Sequence, residues 1–159
     1  MANYYEQART NYFKVKDANK FQDFVDKFKG IDLVVQEQTG QYALLFDETG
    51  IPCSIYDEET DDHIDVDFPY EVSQHLTDDS IAVFEAVGSE KMRYLCGYAI
   101  AINSKGERED INISEIYARA KEKFGVKEIS EASYWSWLFI KLNHTIQHYG
   151  IHNWLLRRV

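Results

Sequence analysis

The sequence predicts an α+β fold: a single domain over residues 1–159 with a mostly antiparallel β-sheet packed by several helices, one of them aromatic-rich and C-terminal. Three observations lead there. Apolar residues alternate with polar ones in runs of strand length, and neighbouring runs are joined by short turn-like segments. Between them stand stretches whose apolar residues recur at helical spacing. No internal repeat, low-complexity run or Pro/Ser-rich linker divides the chain.

The elements follow in order. "NYFKVKD", residues 11–17, sets Tyr12 and Lys14 against Phe13 and Val15 and predicts a strand. "DANKFQDFVDKFKG" then places Phe21, Phe24, Val25 and Phe28 on one helical face, with Asp17 able to accept from the free first-turn amides and Gly30 suited to a left-handed stop. "IDLVVQE" and "QYALLFDE", separated by "QTG", predict a hairpin, and "IPCSIYD" a further strand. In the next stretch Ile64, Val66 and Phe68 are expected to point inward while His63, Asp65 and Asp67 face water. A short helix is expected in "PYEVSQHL", where Pro69 fits the first turn. "SIAVFEAVG" and "RYLCGYAIAIN", joined by "GSEK", are the strongest strands, the second expected to be central. "NSKGE" predicts a turn, and "INISEIYARAKEKFG" a strand end passing into a helix with Ile116, Ala120 and Phe124 on one face, stopped by Gly125.

The last thirty residues carry a helical stripe of Trp135, Leu138, Phe139, Leu142, Ile146 and Tyr149, wide enough to dock on a sheet. Trp137, Ile140, His144 and His148 lie off that stripe, so this helix is either deeply buried or a second contact surface.

Composition bounds the function. The N-terminus lacks a basic segment followed by an apolar one, and no window holds the roughly 18 apolar residues of a bilayer span, so a cytoplasmic protein without a membrane partner is expected. Cys53 and Cys96 are too few for a disulfide scaffold and lack paired zinc spacing, and are expected to be buried free thiols. The net charge of −10 is unevenly spread: residues 1–90 hold 20 Asp and Glu against 6 Lys and Arg, and residues 91–159 hold 7 against 11. Between Lys29 and Lys91, 61 residues carry 16 carboxylates and no lysine or arginine, which argues against direct nucleic-acid binding and for a basic protein surface as partner.

The acidity peaks in "DEETDDHIDVD", where Asp57, Glu58, Glu59, Asp61, Asp62, Asp65 and Asp67 put seven carboxylates into eleven positions. Read as an EF-hand loop from Asp57, it has Asp62 where the turn glycine belongs and Phe68 where the bidentate glutamate belongs, so no calcium site is expected. His144 and His148 share ligand spacing, but the residue after the first is Thr145 rather than the glutamate of a zinc hydrolase. No nucleophile elbow, phosphate loop or dinucleotide fingerprint is present, and an open acidic strand does not push two carboxylate pKa values apart. No catalytic residue, metal or cofactor is therefore expected. Sequence leaves open a pairing of Cys53 or Cys96 with a distant histidine.

In size, acidity, missing catalytic motifs and aromatic content, the chain resembles the small inhibitors that phages and mobile elements direct against bacterial defence nucleases, the anti-CRISPR and anti-restriction proteins. The stretches that carry the resemblance are "NYYEQARTNYFKVKDANKFQDFVDKF" and "VGSEKMRYLCGYAIAINSKGEREDINISEIYARAKEKFG". It implies a type II anti-CRISPR that blocks a Cas9 in a bacterial host by contact with a basic or catalytic-domain surface. These families share no diagnostic motif, so no residue role is carried over. The contact expected from charge alone is Asp57, Glu58, Glu59, Asp61, Asp62, Asp65 and Asp67, with Asp78 and Asp79 as outlying members. Two other classes use the same facts: an immunity or antitoxin protein against a basic toxin, and an accessory enzyme of a mobile element.

Overall fold

The computed structural model describes residues 4–57, 60–90 and 94–129. It divides into two compact units, Met1–Ile116 and Tyr117–Val159. The first unit holds β1 (Tyr5–Thr10), α1 (Ala18–Val25), β2 (Ile31–Gln36), β3 (Gln41–Phe46), β4 (Ser54–Asp57), β5 (Asp62–Asp65), α2 (Phe68–His75), β6 (Ile81–Glu90), β7 (Tyr94–Asn103) and β8 (Arg108–Asn112). Helix α3 (Glu115–Phe124) begins at the end of this unit. The fold is α+β and mainly sheet. Six antiparallel strands form one sheet in the order β2-β3-β1-β6-β7-β8, and β4 and β5 form a two-stranded sheet of their own.

Directly opposed residues of antiparallel strands share a face. One row across the sheet reads Ile31, Phe46, Ala8, Ala86, Tyr98, Asn112, and this face meets the helices. α1 brings Phe21 and Val25, and α2 brings Phe68 and Val72, onto Leu44, Phe46, Phe84, Ile100 and Ile102. Phe68 is the hub, fully buried, with ring centroids 4.9–6.3 Å from Phe24, Phe28, Phe46 and Phe84. As expected, Asp17 caps α1, accepting from the amides of Asn19 and Lys20, which holds its carboxyl below the usual range. The helix ends at Val25, and Gly30 (φ +78°) opens β2 rather than closing α1.

Several expectations are corrected. The first strand is residues 5–10, not 11–17; Phe13 and Val15 make only single bridges, to Tyr42 and Leu76. Ile64 is not an inward residue but 50% exposed, because β5 lies outside the main sheet. Asp67 is not part of an alternating strand; it caps α2, and Phe68 is that helix's first residue. β7 is paired on both sides but lies one strand from the edge, while β1 and β6 are central. Cys53 is exposed and Cys96 half-buried. In α3, Ile116 and Phe124 are exposed, and no residue is buried. The Trp135–Tyr149 stripe, with Trp137, Ile140, His144 and His148, lies outside the described residues.

His75, in the last turn of α2, rests its ring 4.9 Å from Phe24 and 5.5 Å from Phe21. Burial among these rings pushes its pKa below the ordinary histidine value. The unfolded chain therefore takes up the proton first. The neutral ring's contribution is present above about pH 6.5 and is lost as the pH falls below that value toward the folded pKa. His75→Phe should accordingly show a smaller drop in melting temperature between neutral and mildly acidic buffer than the native chain; equal drops would show that His75 does not titrate against folding.

Candidate functional site

Two surfaces of the first unit stand out, one charged and one apolar. The charged one is the β4–β5 hairpin, in register Ser54–Asp65, Ile55–Ile64, Tyr56–His63 and Asp57–Asp62. The Val66 amide donating to the Cys53 carbonyl at 2.8 Å continues the pairing toward the body, and Val66 packs on the core. All four residues of β5 are exposed. Asp61 sits at positive φ (54°), a conformation aspartate tolerates better than most residues, and accepts from the Tyr56 hydroxyl. Asp62 accepts from the His63 amide. Among the described residues, no lysine or arginine is ion-paired with Asp61, Asp62 or Asp65.

The other expected contact residues have structural partners. Asp67, the cap of α2, lies 3.4 Å from Arg108, which also holds Asp110 at 2.8 Å. Lys14 bonds Asp79 at 2.9 Å and, with Thr77, holds its carboxyl down at about 2. Asp78 accepts from Ser104. The structure thus gathers Asp57, Asp61, Asp62 and Asp65 on one hairpin and places Asp67, Asp78 and Asp79 elsewhere; Glu58 and Glu59 lie outside the described residues.

The second surface is the sheet face turned away from α1 and α2. Its central row reads Asp32, Leu45, Arg9, Glu85, Ala99, Ile111, and the next reads Gln7, Val87, Gly97. All of these except Asp32 line a groove of about 860 Å3. Its floor is low because the β7 side chain that faces it is that of Ala99, between Gly97 and Ala101, whereas Val87, Leu45, Ile111 and Ile113 rise around it. A side chain at Gly97 would press on Ile113, its Cβ coming within 2.9 Å of that residue's Cγ2. Arg9 and Glu85 form the ion pair in the groove, Nε to Oε2 at 3.0 Å. Asp47 and Glu48 stand on the rim, and two hydrogen bonds from Thr49 hold the Asp47 carboxyl below the usual range.

Beneath the same strands lies a polar cluster. Glu6, nearly buried on β1, accepts from the hydroxyls of Tyr4 (2.9 Å) and Tyr98 (3.0 Å), and the Tyr4 hydroxyl also touches the Cys96 thiol. Burial and the Glu6 bond raise the Tyr98 pKa; the Cys96 contact, burial and Glu6 raise that of Tyr4. The phenols stay protonated and act as donors that satisfy a buried carboxylate. Neither described histidine pairs with Cys53 or Cys96, and among the described residues no group of three or more His, Cys, Asp or Glu is placed to hold a metal. Among those residues, too, no helix is long and apolar enough to cross a membrane.

Sequence reasoning singled out the acidic stretch from its charge, not its pairing as a hairpin, and missed the groove and the Glu6 cluster. The groove's strand residues come from five strands and meet only through register; the one local signal is the small-residue alternation of Gly97, Ala99 and Ala101 in β7. Comparison with protein-family models, curated proteins and solved structures finds no match.

Proposed function

We propose that this chain is a stoichiometric binding protein that presents the β4–β5 hairpin as a negative surface to a basic protein partner. The observation that supports this reading is the exposure of Asp61, Asp62 and Asp65 on a hairpin that pairs only with itself, with no cation paired to them among the described residues. Carboxylates that fix a fold are held by caps or cations, as Asp17, Asp67 and Asp79 are. Carboxylates left in water carry their full charge to a partner and steer its approach. A bacterial defence nuclease of the Cas9 type is the partner class to test first, on the strength of the resemblance alone; a basic toxin would use the same surface. In either case the protein contacts the partner's basic residues without touching nucleic acid and without turnover.

The test joins capture to kinetics. The chain is used to pull down its partner from a bacterial host lysate, a Cas9 is titrated with it directly, and association is followed at several salt concentrations. Inhibition should end at a fixed molar ratio. Replacing Asp57, Glu58, Glu59, Asp61 and Asp62 by Asn or Gln should slow association by about tenfold or more at low salt and flatten its salt dependence, since exposed charges are screened over about 8–10 Å at physiological salt. The fold should survive, because Asp61 and Asp62 are exposed on a hairpin outside the main sheet and surface substitutions usually cost within about 0.5 kcal/mol each. An unchanged on-rate and salt slope would remove the hairpin from the contact, and inactivation of many nuclease molecules by each molecule of this protein would mean turnover.

A further inference from the structure

We propose that the outer face of the six-stranded sheet is a docking groove for a cationic amphipathic helix of a protein partner. This surface is separate from the hairpin, and the inference does not depend on the hairpin's role.

Shape argues for a helix. Val87 on β6 and Ile111 on β8 flank the low floor at Ala99 of β7, and Ile113 covers Gly97 and closes one end, so the face is a trough rather than a flat sheet. A helix that presents apolar residues at every third or fourth position lays one ridge into such a trough. Val87 is 62% exposed, and Leu45, Ile111 and Ile113 are each more than two-fifths exposed. Apolar side chains gathered in this way mark interaction surfaces more often than chance scatter.

Charge fixes the sign of the occupant. The groove and its rim carry Asp47, Glu48 and Glu85 against Arg9 alone. Asp32 and Glu109, exposed and in register on the same face, add two more carboxylates. Arg9 and Glu85 neutralise each other in the middle, leaving an apolar floor inside an anionic frame. A helix with leucine-like residues on one face and lysine or arginine on its flanks complements both features, whereas a second copy of this chain would set anionic rim against anionic rim.

The test uses the full chain and two labelled model helices, one of leucine and lysine and its twin with glutamate in place of lysine, at physiological salt. The lysine helix should bind saturably and the glutamate twin should not. Val87→Gln combined with Ile111→Gln, which leaves every charge in place, should weaken the lysine helix by about tenfold or more. Asp61→Asn with Asp62→Asn and Asp65→Asn should leave it unchanged. If the hairpin variant abolishes binding and the groove variant does not, the helix sits on the hairpin and the groove assignment is overturned, while the hairpin's attraction for cations stands. Equal binding of both twins, or of neither, also overturns it. So does a concentration-dependent dimer of the native chain that the groove variant dissolves, since a second copy would then be the occupant.

Discussion

Phe68→Ala should destabilise the protein by about 3–5 kcal/mol, the largest loss expected from any single truncation in the first unit. The side chain is fully buried and its ring meets four other phenylalanines: two from α1 and the segment after it, one from β3 and one from β6. Removing it takes away both the transfer free energy of the ring and the contacts its neighbours make across the space left behind. Those neighbours sit on three different elements, so they cannot close in together without moving a strand or a helix. A domain's whole stability is about 5–15 kcal/mol, and the variant should therefore unfold at a much lower denaturant midpoint with a similar slope. A loss under about 1.5 kcal/mol, the range of well-tolerated core swaps, would show that Phe68 is not the hub of the core.

Gly50→Val is expected to cost about 3 kcal/mol, through two separate effects. Gly50 has φ +78°, where a β-branched residue carries roughly 1–3 kcal/mol of backbone strain. An added Cβ would also stand 2.3 Å from an Oε1 of Glu6, the carboxylate that takes both the Tyr4 and Tyr98 hydroxyls. Pushing that carboxylate aside strands buried polar groups, each worth about 1–3 kcal/mol. Gly40→Val separates the two effects: its φ is +66°, but nothing lies within 4 Å of the new Cβ, so the strain of a β-branched residue acts there without a clash at Cβ. Denaturant midpoints should fall clearly further for Gly50→Val than for Gly40→Val. Equal losses would mean that the Glu6 cluster yields without cost.

The parts of the fold that were legible in the sequence are those in which burial follows a local period. α1 was marked by its phenylalanine spacing and by Asp17, the β2–β3 hairpin by two apolar runs around a glycine turn, and β6 and β7 by length and β-branching. β1 was invisible for a physical reason. Its inward positions are Glu6, Ala8 and Thr10, which lie against the core as a hydrogen-bonded carboxylate, a methyl group and a hydroxyl that accepts the Leu44 amide. None of these has the size or apolarity on which period reading depends. Val66 and Phe68 did turn inward, but Ile64 did not, because the chain leaves the small hairpin at Asp65 and turns into the Asp67 cap within two residues. At the candidate surfaces the same division holds: hairpin acidity is a local property, whereas the groove exists only once five strands are in register.

The place of β1 also sets a timetable. Of the described strands, β1 is made before the seven others, yet it must finish in the middle of the sheet, between β3 and β6. Its main partner, β6, begins at Ile81, and the pairings Tyr5–Ser89 and Thr10–Phe84 span most of the unit's length. At about 5–20 residues per second, β6 follows β1 out of the ribosome after on the order of 5–15 s. Throughout that interval the edge of β1 that will meet β6 is unpaired and open to other nascent chains. The polar inner face of β1 makes the wait less hazardous, since Glu6 and Thr10 give a stray strand little apolar surface to grip. The β6–β7 ladder and the Glu6–Tyr98 bond come later still, since β7 follows β6 in the chain, so β1 is the strand whose place in the sheet is completed by the residues farthest from it in sequence.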